Sequence, residues 1–316
     1  MQTSELTPTP SLDQKPKLNS TSHQLVPAPW RLHGEAWWLF LSLTGKLEET
    51  ISPENDHQSE SHPDPHPLGP AHFDTLEAAS RESASVPGVF RGGMGTIQII
   101  RYHSSPIGPY DELMIVPGEF ALPDELHRGP LPRITRIYVS TLQSVFSGRL
   151  NWNVPKHLAQ FKFTPATTGE LIVRVHALES YTYTKPTKTE GSRIEPIFAS
   201  TPFFSTIITP YGPPGLRLPM RLSALPGVVT SLGQPPVEEG DISLGLSGTK
   251  LWKEVNFDVS GRVGLIKAKG ALKDSTGDSR FADGKNFPDF KPYQIGIHWT
   301  DQVLDFFEGV NLSPKP

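Results

Sequence analysis

Proline is the residue that most limits how this chain can fold. It occurs 33 times in 316 residues, which is about double the usual share of ~5%. Each proline fixes its own φ angle and lacks an N–H group, so it interrupts a helix or a central strand. The sequence therefore favours an all-β fold of many short strands over one built from long helices.

Strand-like segments follow one another from residue 94 onwards. Each is short, rich in β-branched or aromatic residues and bounded by Gly or Pro, as in YQIGIHW at 293–299. Within that segment apolar residues alternate with Gln294 and His298, the period of two that a half-buried strand shows. STLQSVFSGR at 140–149 differs and predicts a short helix that ends near Gly148. Many strands with few short helices indicate a mainly β barrel or sandwich.

Two polar segments accompany the apolar part of the chain. Residues 1–24 are rich in Ser, Thr, Pro and Gln without hydrophobic periodicity, which predicts a disordered tail. Residues from about 48 to 72 are polar and broken by proline, which predicts a flexible surface insertion. His62, Asp64 and His66 in this insertion have the chemistry of metal ligands, but nothing rigid would hold them, so no metal site is predicted. Residues 25–316 are expected to form one domain.

Charge and cysteine content exclude several functions. The net charge of −4 comes without a strong basic patch, so we expect no nucleic-acid partner. The absence of cysteine excludes disulfides, thiolate metal sites and a cysteine nucleophile. The longest apolar cluster, AWWLFLSL at 36–43, is far shorter than the ~20 residues that cross a bilayer, and it predicts a buried strand. No secretory signal is visible, so we expect a cytoplasmic protein without a membrane partner.

A single lysine stands among apolar and aromatic residues in SGRLNWNVPKHLAQFKF at 147–163. A lysine in water has a pKa near ~10.4, so little of its neutral amine is present to attack a carbonyl at pH 7. Apolar neighbours such as Trp152 disfavour the ammonium form, and Pro155 stiffens the approach to Lys156. The alternative is a lysine whose stem lies on apolar surface while its ammonium stays in water. These residues alone leave both possibilities open.

A carboxylate precedes this segment by about forty residues. Gly108 and Pro109 predict a tight turn, and Glu112 lies where the next apolar strand begins. A carboxylate entering a barrel there can position a water molecule or a proton. It can equally cap a turn at the surface.

Together, these segments resemble the acetoacetate decarboxylase family. Its members share a Gly-x-Tyr-x-Glu segment, then Gly-Arg, then Pro-Lys, and this chain has GPYDE at 108–112, Gly148-Arg149 and Pro155-Lys156 in the same order. The resemblance covers about residues 28–305, and we interpret the chain as a divergent member of fungal type. It implies an antiparallel β-barrel with few short helices, no cofactor and a possible homo-oligomer.

The resemblance also implies catalytic roles for Lys156 and Glu112. The lysine forms a Schiff base with a β-keto acid, and the glutamate lies in the same pocket. The protonated imine accepts the electron pair that is released when the carboxylate leaves as CO2. The enamine is then protonated and hydrolysed to a ketone.

Two departures from the bacterial pattern affect the predicted substrate-binding residues. Pro-Lys-Lys becomes Pro-Lys-His, so His157 replaces a second ammonium and can shuttle a proton if it faces the pocket. The arginine that binds the substrate carboxylate has no clear counterpart near the first strand. Arg149 or Arg101 can take its place, although Arg149 can instead tie loops together. Tyr110 and Trp152 complete the predicted substrate-binding set.

We therefore predict a lyase that decarboxylates a β-keto acid or polyketide-like intermediate, as in secondary metabolism, through a Schiff base on Lys156. The aromatic residues Trp37, Trp38, Trp152 and Phe161 indicate a substrate bulkier than acetoacetate. The alternative is a module on the same barrel that binds a hydrophobic ligand or performs cyclisation or aldol-dehydration chemistry. A buried lysine facing Glu112 in a closed cavity would favour the imine, and an exposed lysine would favour the binding module.

Overall fold

The computed structural model describes residues 23–41, 68–78, 90–126, 128–167, 169–184 and 193–313. Most of the predicted tail and insertion, including His62, Asp64 and His66, lies outside these residues, so both domain predictions stay predictions. The last residues of the predicted insertion, 68–72, are described, and Leu68 and His72 among them are buried.

The described residues form strands and two α-helices, with four short 3-10 turns at 70–72, 124–126, 222–224 and 242–244. The helices are α1 (Thr75–Ala78) and α2 (Leu142–Trp152). The strands are β1 (Trp30–Phe40), β2 (Phe90–Gly92), β3 (Thr96–Ser104), β4 (Tyr110–Val116), β5 (Glu119–Phe120), β6 (Leu131–Pro132), β7 (Arg136–Val139), β8 (Lys156–Pro165), β9 (Leu171–Thr184), β10 (Arg193–Phe198), β11 (Phe204–Tyr211), β12 (Leu218–Arg221), β13 (Ser231–Gln234), β14 (Trp252–Gly270), β15 (Leu272–Lys273), β16 (Ser279–Arg280), β17 (Ile295–Phe306) and β18 (Val310–Leu312).

The main sheet curls on itself. Its hydrogen-bonded order runs β9-β11-β14-β17-β1-β3-β4-β7-β8, and β8 pairs with β9 again, so the path returns to its first strand. We call these nine strands the ring. Strands β10, β12, β13 and β18 extend it, while β2-β5-β6 and β15-β16 form small separate sheets. The prediction of a mainly β fold with few short helices is confirmed.

One strand pair in the ring departs from the predicted antiparallel arrangement. Strands β7 and β8 are parallel, with Ile137 opposite Lys156. Parallel neighbours cannot be joined by a tight turn and need a crossover connection, which is usually a helix. Helix α2 is that crossover, and it delivers the chain to the first residue of β8.

The ring separates two hydrophobic clusters. Because side chains alternate along a strand, Trp38 and Ile100 belong to the inner cluster while their neighbours Trp37 and Ile99 belong to the outer one. Phe161 also packs against the outer cluster. Burial on both faces explains why AWWLF reads as one continuous apolar run.

No helix among the described residues is long and apolar enough to cross a membrane.

Candidate active site

The β-sheet register places one row of side chains inside the ring. Trp38 pairs with Gln98, Gln98 with Met114, Met114 with Ile137 and Ile137 with Lys156. Directly paired residues lie on the same face of a sheet, and all five line the same cavity. Lys156 therefore points into the ring because its register partners do.

The cavity inside the ring has a volume of about 380 Å³. Its wall is mostly apolar and includes Trp30, Trp38, Ile100, Met114, Trp152 and Phe306. The polar residues that line it are Thr96, Gln98, Tyr102, Tyr110, Glu112, Lys156 and Gln302. Met94, Leu225 and Val229 line it and are also exposed to solvent, which marks its mouth.

Lys156 and Glu112 form a buried ion pair in the wall of this cavity. The distance from Nζ to Oε1 is 2.6 Å, and the two side chains are 5% and 4% exposed. Tyr102 donates a hydrogen bond from its hydroxyl to Glu112 Oε2 at 3.4 Å. The lysine is thus buried and faces Glu112, which is the arrangement that favours the imine over an ordinary surface lysine.

Ser144 is a site residue that sequence reasoning missed. Lys156 Nζ donates to its Oγ at 3.0 Å, and Ser144 is fully buried on helix α2. Its spacing provided a signal, because residues four apart lie on the same helix face and Ser144 precedes Gly148 of the Gly-Arg motif by four. Gly148 and Ser144 thus lie on the same face of α2, and this face contacts Lys156.

Two tyrosine hydroxyls surround the carboxylate. Burial, followed by the negative charge of Glu112, raises the pKa of Tyr102 and of Tyr110 well above the ordinary value. Both phenols consequently remain protonated hydrogen-bond donors at neutral pH. Tyr110 lines the cavity, with its ring centroid 5.3 Å from Lys156 Nζ.

Gly148 lets the helix pack against the lysine side chain. A Cβ atom at this position would lie 2.5 Å from Lys156 Cδ and 2.7 Å from Cε. Helix α2, which carries it, is capped at its start by Thr141, whose side chain accepts a hydrogen bond from the Ser144 N–H, and at its end by Asn153 in the left-handed conformation (φ 57°). Asparagine tolerates this conformation better than most residues. Because any side chain at position 148 would collide with Lys156, the glycine of the Gly-Arg motif is what allows α2 and the lysine to approach each other.

The expectation that Arg149 binds a substrate carboxylate is wrong. Its guanidinium is fully buried outside the cavity lining, pairs with Glu77 Oε1 at 2.7 Å, and donates to the carbonyls of Ser247 and Glu238. Successive helix residues are turned by about 100°, so Arg149 faces away when Gly148 faces Lys156. It ties α2 to α1 and to the 238–247 segment, which is the alternative that the sequence left open.

Arg101 does not supply the missing carboxylate-binding arginine either. It pairs with Asp111 at 3.4 Å, and its side chain is 41% exposed. It is not part of the cavity wall.

His157 also lies outside the cavity, contrary to expectation. It follows Lys156 in β8 and so points to the opposite face, where Nε2 lies 2.8 Å from Glu77 Oε2 and 3.7 Å from Asp74 Oδ1. Burial alone would raise the pKa of Glu77, but His157 and Arg149 outweigh it and lower that pKa to about 2. Asp74, Glu77 and His157 have the chemistry of metal ligands. Arg149 and Arg136 already neutralise the two carboxylates, which makes this an ion-pair network.

The aromatic residues divide between the two faces of the ring. Trp38 and Trp152 line the cavity, and the Trp152 indole donates to the Phe307 carbonyl at 2.6 Å. Trp37 and Phe161 belong to the outer cluster, so their predicted place in the pocket is wrong. Substrate contact by Tyr110 and Trp152 stays a prediction.

Comparison with solved structures identifies the class of fold as acetoacetate decarboxylase-like. The crystal structure of acetoacetate decarboxylase from Legionella pneumophila is similar to this chain with a TM-score of 0.51 and 10% identity, covering 95% of this chain and 93% of that one. A second acetoacetate decarboxylase structure gives a TM-score of 0.47 and 8% identity, over 91% and 90% of the two chains. No protein-family model and no curated protein sequence matches the chain. At this identity the likeness shows the fold alone.

Proposed function

We propose that this protein is an enzyme that acts on a carbonyl compound through a Schiff base on Lys156. The observation that supports the proposal best is the position of Lys156 Nζ. It is buried in the wall of an apolar cavity and lies 2.6 Å from the Glu112 carboxylate. A nucleophile within hydrogen-bond reach of a base is the arrangement expected of covalent catalysis.

Glu112 provides the proton transfers that imine formation needs. It takes a proton from the Lys156 ammonium, and the free amine then attacks the carbonyl carbon. The nitrogen of this adduct passes a second proton to the former carbonyl oxygen, which gives the carbinolamine. The carbinolamine hydroxyl then leaves as water after it receives the first proton from the Glu112 carboxyl group. Ser144 and Tyr110, beside the same nitrogen, orient the reacting groups.

The iminium withdraws electrons from a bond at the neighbouring carbon. In a β-keto acid or polyketide-like intermediate that bond leads to the carboxylate, and breaking it would make the protein a decarboxylating lyase. Aldol or dehydration chemistry begins from the same imine with a different bond. The Schiff base is thus the common element of both reactions.

A second candidate function is the binding of a hydrophobic ligand without covalent chemistry. The cavity of about 380 Å³ and its apolar wall favour it, since small-molecule sites are typically concave, mostly apolar and ~300–1,000 Å³ in volume. In this case Lys156 is only a buried hydrogen-bond donor.

Reductive trapping distinguishes the two functions. The protein is incubated with ketones, aldehydes and β-keto acids, reduced with borohydride, and searched for added mass by peptide mass spectrometry. We expect an adduct on Lys156 that Lys156→Ala abolishes and Lys162→Ala, at an exposed position of the same strand, retains. Ligand binding without any adduct would contradict the Schiff base and favour the binding function.

A further inference from the structure

The cavity wall contains one pair of opposite charges. Among the described residues that line it, Lys156 is the only cation and Glu112 the only carboxylate, and they are paired with each other. The two arginines that sequence reasoning offered for a substrate carboxylate, Arg149 and Arg101, bind acidic groups elsewhere. The described wall therefore has no cation left over for a second anion.

Imine formation does not change this balance. The lysine ammonium and a neutral ketone become an iminium and water, so one positive charge remains and the Glu112 carboxylate remains its counter-ion. A bound keto acid would add a second carboxylate beside mostly apolar side chains. An unpaired buried charge is strongly unfavourable, so the site disfavours a charged substrate.

The rest of the wall fits an uncharged molecule. Gln98 donates from Nε2 to Thr96 Oγ1 at 3.0 Å, and Gln302 Oε1 has no hydrogen-bond partner among the described residues. Gln302 Oε1 can accept a hydrogen bond from a hydroxyl group of a ligand, and the amide NH2 groups of the two glutamines can donate one to a ligand carbonyl. The 380 Å³ cavity corresponds to roughly a dozen waters at ~30 Å³ each, more than the seven non-hydrogen atoms of acetoacetate would fill.

From this charge balance we infer that the substrate is an uncharged, largely apolar ketone or aldehyde. The inference rests on the proposed Schiff base and specifies its substrate class. Without a carboxylate to lose, the iminium gives up a proton from its α-carbon to Glu112 and becomes an enamine. Where the substrate carries a second carbonyl, the enamine carbon attacks that carbonyl, whose oxygen takes the proton from Glu112, and water then hydrolyses the regenerated iminium.

Trapping with matched compounds tests the inference. The probes are 2-nonanone, its parent acid 3-oxodecanoate, acetone and acetoacetate, and the readouts are the initial rate of adduct formation and CO2 release above the protein-free rate. We expect 2-nonanone to be trapped at Lys156 at least about tenfold faster than either acid, with no added CO2 release. Trapping of 3-oxodecanoate as fast as 2-nonanone, or protein-dependent CO2 release, would overturn the inference while the Schiff base stands.

An added cation provides the converse test. Gln98 lines the cavity and is uncharged, so Gln98→Arg supplies the missing counter-charge and Gln98→Met serves as the uncharged control. We expect the arginine variant alone to trap 3-oxodecanoate faster relative to 2-nonanone. An unchanged ratio in a folded arginine variant would count against the charge argument. Failure of all four compounds to form an adduct would defeat the Schiff base itself, and with it the inference.

Discussion

The Lys156 ammonium and the Glu112 carboxylate are buried together, so removing either one alone leaves the other charge away from water. We expect Lys156→Ala to lower the free energy of unfolding by about 3–5 kcal/mol. The double variant Lys156→Met with Glu112→Gln removes both charges and should recover most of that loss. Urea denaturation of the three proteins checks this, and a single variant as stable as the double one would contradict the described pairing.

Ser144 contributes a hydroxyl that positions the lysine amine. Ser144→Ala should slow imine formation roughly tenfold, because small misplacements of a nucleophile are costly, while lowering stability by only about 1 kcal/mol. The measurement is the trapping rate as a function of pH. Ser147→Ala is the matched control, since Ser147 is buried on the same helix but binds Gln143 and the Val26 N–H. Equal rates for the two variants would assign Ser144 no role at the amine.

At the level of elements, helix α2 and strand β8 must approach closely at Gly148. Gly148→Ala places a methyl group where Lys156 Cδ and Cε now lie, and we expect it to push Nζ away from Glu112. Trapping at Lys156 should fall about a hundredfold, more than the loss of stability explains. A crystal structure or a trapping assay of the variant would show this, and unaltered trapping would mean that the lysine adapts freely.

Three elements meet in the ion-pair network around Glu77. Helix α1 supplies Glu77, α2 supplies Arg149, and β8 supplies His157. The pKa of Glu77 is lowered from about 4.5 to about 2, so its stabilisation is present above its ordinary pKa and is lost as pH falls from about 4.5 towards 2. At pH 7 the shift corresponds to about 3 kcal/mol.

Glu77→Gln should therefore lower stability at pH 7 and weaken the dependence of stability on pH between about 4.5 and 2. Denaturation series at several pH values check both effects. An equally steep acid transition in the variant would place the responsible carboxylate elsewhere.

For the whole molecule, an apolar ligand in the cavity should stabilise the folded state. At a hundred times its dissociation constant, a ligand that binds only the folded protein adds about 2.7 kcal/mol. We expect 2-nonanone to raise the melting temperature of the protein and also of the Lys156→Met, Glu112→Gln variant, which cannot form an imine. Thermal unfolding checks this, and a shift confined to the unaltered protein would mean that the cavity holds ligands only covalently.

The sequence was sufficient for the fold class and for the two charged residues that meet in the cavity. Lys156 and Glu112 came together through the resemblance of GPYDE, Gly148-Arg149 and Pro155-Lys156 to the acetoacetate decarboxylase family, because each residue taken alone left its place open. The direction of Arg149 could not be predicted, because it depends on the rotation of α2 about its axis. The orientation of His157 depends on where β8 begins, and that residue is set by the end of the crossover helix.

The residue at which β8 begins also limits which insertions and deletions the sequence can tolerate in evolution. Moving the strand by one residue would exchange Lys156 and His157 between the two faces of the ring. Both faces offer a carboxylate, Glu112 inside and Glu77 outside, so charge alone would tolerate the exchange. Three residues separate the end of α2 at Trp152 from the first residue of β8 at Lys156. An insertion or deletion of one residue among them would exchange the side chains that face the cavity and the outside while leaving every strand available to pair.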